Sequence, residues 1–170
     1  NTNPYELLWA NFKGSGYDIA CAQRNYPILY KLENNFPIVK KISFQPIFSK
    51  YLFFIHLNKK QNSNKAIKNF NAKNISLKLV NSFTDLTKKI INSNNIYDFQ
   101  KNIKKHEMLL SKELLIQPIK EKFFSDYDGE IKSLGAWGGD FILAAGPLDS
   151  PSYFKNKGFK TIVSFKNMFY

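Results

Sequence analysis

Residues 129–146 read GEIKSLGAWGGDFILAAG, and the division of this stretch decides the fold. It reads as a strand, a glycine loop and a second strand, because two apolar-containing runs flank a turn-forming cluster of Gly135, Gly138 and Gly139. Two strands joined so closely form an antiparallel, hairpin-like pair. Downstream, SPSYFKNKG at 150–158 is a helix with Ser150 or Ser152 as cap and Gly158 as stop, and FKTIVSF at 159–165 is a closing strand. Upstream, IKEKFFSD after Pro118 makes a short helix.

The middle of the chain is helical. Ser63 or Asn64 can cap KAIKNFNAK, and Ser76 can cap LKLVNSFTDLTKKIINS, where Leu77, Val80, Leu86, Ile90 and Ile91 recur at helical spacing. A further helix spans Tyr97 to Leu110, with Phe99, Ile103, His106 and Leu110 on one stripe. Before these, KYLFFIHLN at 50–58 reads as a strand buried on both faces, followed by the polar loop KKQNSN. PILYKLE and PIVKKISF, each opened by a proline and separated by NNF, read as two strands joined by a turn. This order describes an α+β fold with an antiparallel sheet and helices on one face.

Composition sets the class. With 170 residues, 44% hydrophobic and 16% aromatic, the chain can bury a core and is too apolar for a disordered tail. The net charge of +12 invites a nucleic-acid reading. Against it, Arg24 is the only arginine, and direct base readout leans on the bidentate guanidinium fork. Lysine, asparagine, isoleucine and phenylalanine are abundant together, so the charge reads as compositional bias, useful at most for drawing in a phosphorylated ligand. No specific nucleic-acid partner is expected. Cys21 is the only cysteine, which excludes an intrachain disulfide and suits a reducing, cytoplasmic compartment. Apolar runs such as YLFFI fall far short of the ~20 residues a membrane helix needs.

Five of the eight glycines lie in two places: Gly14 and Gly16 before Asp18, and Gly135, Gly138 and Gly139 before Asp140. Glycine serves where the backbone takes positive φ or another group comes close, and successive N–H groups in such loops can cradle an anion. Each cluster also has a purely structural reading. GSG is then a turn with Ser15 near a helix N-cap and Asp18 favouring the helix dipole, and GAWGGD is a tight turn between strands. Their co-occurrence in a glycine-poor chain shifts the balance toward ligand loops. His56 and His106 have neither companion cysteines nor H-E-x-x-H spacing, so neither suggests a zinc site. Cys21 lies among alanines and reads as a packing residue, and Lys59 and Lys60 as a solvated loop.

GSGYDIACA at 14–22 and KSLGAWGGDFIL at 132–143 together resemble the GHMP-type small-molecule kinases, the superfamily of galactokinase, homoserine kinase, mevalonate kinase and phosphomevalonate kinase. The chain resembles more closely the subgroup with a Gly-Tyr-Asp-Ile-Ala signature, here residues 16–20, and FFIHLNKKQNSNKAI is similar to the family segment that follows it. The resemblance implies that residues 1–48 end an N-terminal domain and 49–170 form a ferredoxin-like C-terminal domain. It makes Asp18 the carboxylate beside the substrate hydroxyl, with Gly14, Ser15, Gly16 and Tyr17 bringing backbone to the substrate. Lys132, Ser133, Gly135, Ala136, Trp137, Gly138, Gly139 and Asp140 would form the loop that closes over substrate and phosphates. Trp137 stands where many members have glycine, and Asp140 is similar to the acidic ending of phosphomevalonate-type loops.

The family's P-x-x-x-G-L-G-S-S-A phosphate loop, magnesium-binding glutamate and N-terminal lysine do not occur in these residues. The chain therefore corresponds to the C-terminal half of such an enzyme, inactive alone, with ligands for ATP and Mg²⁺ in the N-terminal half. The implied reaction is γ-phosphoryl transfer from ATP to an alcohol or phosphorylated alcohol, mevalonate-like isoprenoid precursors ahead of sugars. Expected partners are the small-molecule substrate, the N-terminal half and, as an option, a second copy in a homodimer. The alternatives are a non-catalytic binding module or subunit derived from such a kinase, and a basic RNA-binding domain, disfavoured because no aromatic RNP-like strand occurs.

Overall fold

The structure is a computed structural model that describes residues 3–11, 14–34, 36–58, 75–135 and 140–169. Its elements run α1 (Pro4–Asn11), α2 (Tyr17–Ala22), β1 (Ile28–Glu33), β2 (Phe36–Lys41), a 3₁₀ turn (Ser49–Tyr51), β3 (Leu52–His56), α3 (Leu77–Ile91), α4 (Ile96–Leu114), α5 (Ile119–Phe123), β4 (Glu130–Ser133), β5 (Phe141–Ala145), α6 (Ser150–Asn156), β6 (Ile162–Ser164) and α7 (Phe165–Phe169). The chain divides into two units, Asn1–Gln45 and Pro46–Tyr170. The capped KAIKNFNAK helix and the lysine loop before it fall outside the described residues.

In the first unit, β1 and β2 pair antiparallel from Ile28↔Lys41 to Glu33↔Phe36. Phe36 thus belongs to the strand rather than to the turn, and Asn34 takes a left-handed φ of 50° there. Tyr5 and Ala20 are buried, whereas Leu32, Phe36 and Ile38 of the hairpin are exposed.

The second unit is built on β3. Its sequence, LFFIH, offers no polar face over the first four residues, and all four are buried. A strand apolar on both sides belongs in the middle of a sheet, and the sheet order is β4-β5-β3-β6 with every neighbour antiparallel. Strand β3, helices, β4, β5, helix and β6 in that spatial order form the split βαβ arrangement of ferredoxin-like folds.

The sheet carries helices on both faces, which corrects the one-face expectation. Phe53 and Phe54 point to opposite sides of β3. Phe53 shares a core with Phe154 of α6, Ile119 of α5, Phe124 and Tyr127. Phe54 instead stacks with Phe165 of α7 at 6.2 Å. Phe124, Tyr127 and Phe154 have ring centroids 5.0–5.2 Å apart where they meet, and each such side chain contributes roughly 1.5–3 kcal/mol on full burial.

Three local expectations change. Ser76 caps α3 as read, its Oγ accepting from Leu79 N at 3.2 Å. Leu77 and Val80 nevertheless face solvent, because the half-buried stripe runs through Leu79, Phe83, Leu86 and Ile90. Helix α4 continues past Leu110 to Leu114 and ends on Leu115 at φ 53°. Neither Ser150 nor Ser152 caps α6; Asp149 holds that position. Ser150 lies inside the helix, donating to Pro147 O at 2.5 Å and receiving the Tyr127 hydroxyl at 2.7 Å.

Candidate functional site

The loop before Asp18 is fixed by aromatic side chains. Trp9 Nε1 donates to Gly14 O at 3.2 Å, and the Tyr30 hydroxyl donates to Ser15 O. Tyr17 N donates to Ser15 Oγ at 3.3 Å, so the serine does serve the helix start, although Gly16 is the N-cap residue. Gly16 takes φ 76°, and a Cβ there would lie 2.8 Å from the Tyr5 ring. Glycine is demanded twice, by backbone conformation and by the ring against it. Tyr17 is 49% exposed and meets Tyr30 edge-on at 5.7 Å. Asp18 sits in the first turn of α2 and is exposed. Burial, then the nearby Tyr5 and the Asp18 charge, raise the Tyr30 phenol above its ordinary pKa.

The second loop leaves β4. Lys132 and Ser133, read as phosphate-loop residues, meet a group that the sequence reading passed over, Glu107 of α4. Lys132 Nζ lies 3.2 Å from Glu107 Oε1 and 3.2 Å from His106 Nδ1. Ser133 donates to Glu107 Oε2 twice, from its backbone N at 3.0 Å and from its hydroxyl at 2.7 Å. Burial alone would raise the Glu107 carboxyl; hydrogen bonding to His106, the Lys132 charge and the Ser133 donors outweigh it and hold it below the usual carboxylate range. The Lys132 amine is thus engaged within the protein. A signal for Glu107 was present: it lies four residues after Ile103 and eight after Phe99, a charged side chain on a buried stripe.

Beyond Ser133, Leu134 N donates to Phe141 O across the hairpin at 3.2 Å. Gly135 takes φ 62°, and a Cβ there would meet nothing within 4 Å among the described residues. Ala136, Trp137, Gly138 and Gly139 lie outside the described residues. Asp140 is exposed, and its carbonyl accepts from Leu57 N at 2.8 Å. Residues 14–18 belong to the first unit and residues 132–140 to the second.

Cys21 is a half-buried free thiol. Among the described residues no three His, Cys, Asp or Glu side chains gather into a group that could hold a metal ion. No helix among them is long and apolar enough to cross a membrane.

No protein-family model matches the sequence, and no curated protein matches it. Among solved structures the fold is similar to that of L. major mevalonate kinase, crystallised in complex with R-mevalonate, with a TM-score of 0.64 and 17% sequence identity. The match covers 89% of this chain and 52% of that chain, so this chain spans about half the length of the kinase. The fold, mixed α and β with antiparallel sheets, resembles that of this kinase over the matched half.

Proposed function

We propose that the chain is the C-terminal portion of an ATP-dependent GHMP-type kinase that phosphorylates a small alcohol or phosphorylated alcohol, with a mevalonate-like isoprenoid precursor as the favoured substrate. The observation that carries this reading is the fold likeness to mevalonate kinase, joined to the two sequence motifs quoted above. Phosphoryl transfer to an alcohol requires a carboxylate that accepts or orients the hydroxyl proton, together with positioning of the phosphates. Asp18 is exposed in the first turn of α2, just after a loop whose Gly14 and Ser15 carbonyls are tied to Trp9 and Tyr30, which suits a group that must be presented to a substrate without moving. Gly135, with open space where a side chain would stand, suits a backbone that lies against phosphates. Lys132 and Ser133 take the role of holding that loop.

ATP would arrive with magnesium, which takes most of its ligands from phosphates and water and needs one or two carboxylates rather than a dedicated cage. Among the described residues no three such side chains gather around one point, and the ligands for the ion would come from the N-terminal half. The test is to incubate the full-length protein with ATP, Mg²⁺ and R-mevalonate, and to follow ADP release and phosphomonoester formation by phosphorus NMR. The kinase reading expects both. Binding of nucleotide or substrate with no turnover would support the alternative of a non-catalytic module derived from such a kinase.

A further inference from the structure

We infer that Glu107 is a positioning residue that closes the open edge of β4 and so sets where the glycine loop leaves the sheet. Among the described residues strand β4 is one of the two edge strands and pairs only with β5. Successive N–H groups of a strand point to alternate sides. Leu134 N–H reaches across to Phe141 O, so Ser133 N–H points away from the sheet, where an edge strand has no partner. Glu107 Oε2 accepts that N–H together with the Ser133 hydroxyl, and Oε1 accepts from Lys132. One carboxylate from α4 thereby fixes two consecutive residues of β4.

Two residues later comes Gly135, where no atom of the described residues would touch a Cβ, so the described anchors of the backbone just before it are those at the end of β4. His106 Nδ1, 3.2 Å from Lys132 Nζ, completes the grip and carries the Phe83 ring of α3 edge-on at 5.2 Å. A buried ion pair is weak support for stability and is better suited to holding one geometry.

The structural arm of the test is hydrogen exchange by mass spectrometry on the full-length protein. It compares segments 130–142 and 52–57 in wild type, Glu107→Ala, Glu107→Gln and the double variant Glu107→Gln/Lys132→Met. Loss of the carboxylate should speed exchange in 130–142 by roughly tenfold more than in 52–57. The double variant should recover most of the protection, because the amide oxygen still accepts from Ser133 and no lone ammonium stays buried. Unchanged exchange in 130–142, or a rise shared equally by 52–57, would overturn the inference. If Glu107→Ala does not fold, the other two variants are read by the same criterion. The kinetic arm rests on the kinase reading: KM for ATP should rise about tenfold with kcat nearly kept. A fall in kcat at constant KM contradicts positioning of a phosphate loop. Should wild type transfer no phosphoryl group, the kinase reading fails while the exchange arm still decides the role of Glu107.

Discussion

The two glycine loops differ in what holds them. Around Gly16 the backbone is filled in from all sides, with the Tyr5 ring where a Cβ would go and two carbonyls tied to Trp9 and Tyr30. Around Gly135 the backbone has the same left-handed sense but no described atom where a Cβ would go, and what holds it is the Leu134–Phe141 hydrogen bond and, one residue earlier, Glu107 at the root of the loop. A glycine required by packing says little about ligands, whereas a positive-φ glycine facing open space is where another molecule can approach the main chain.

The largest stability effect should come from cutting that anchor. Glu107→Ala leaves the Lys132 ammonium and the Ser133 N–H buried without their acceptor, at a cost of about 3–5 kcal/mol in denaturant unfolding. A loss under 1 kcal/mol would mean that β4 is held by something else. Gly16→Ala should come next, at roughly 2–4 kcal/mol, since left-handed strain adds to a collision with the Tyr5 ring. Its partner variant Gly135→Ala should lose only about 1 kcal/mol, the backbone strain alone. If the two glycines proved equally costly, the contrast drawn between the loops would collapse.

The smallest effect concerns acid stability. Hydrogen bonds from Lys157 and Tyr153 lower the Asp126 carboxyl to about 2. Because its folded pKa lies below the unfolded value, its contribution is complete above about pH 4 and is lost as pH falls toward 2. Asp126→Asn should therefore cost stability above about pH 4, by a small amount because the pair is exposed and screened, and converge with wild type as pH falls toward 2, which flattens the stability–pH curve in that window.

Much of the fold was legible because local rules and tertiary demands agree. LFFI has to be a central strand, Ser76 caps its helix, and the 129–146 stretch forms its hairpin. The errors fall where the sequence offered two stripes or two caps. Leu77 and Val80 are as apolar as Leu79 and Phe83, and only packing chooses between them. Asp149 and Ser150 are both good cap residues; Tyr127 and Pro147 claim the serine. At the candidate site the glycines and Asp18 were visible as unusual spacing. Glu107 was not singled out, because a glutamate among lysines on a helix reads as surface until Ser133 is seen beside it.

The central claim is that Asp18 handles a substrate hydroxyl in phosphoryl transfer. Its most direct test is single-turnover and steady-state phosphorylation of R-mevalonate by full-length wild type and Asp18→Asn, with nucleotide binding measured in parallel. The account predicts that the variant folds and binds ATP as wild type does yet turns over roughly 10²–10⁴-fold more slowly, the scale of losing a general base. An Asp18→Asn enzyme with wild-type turnover would contradict it.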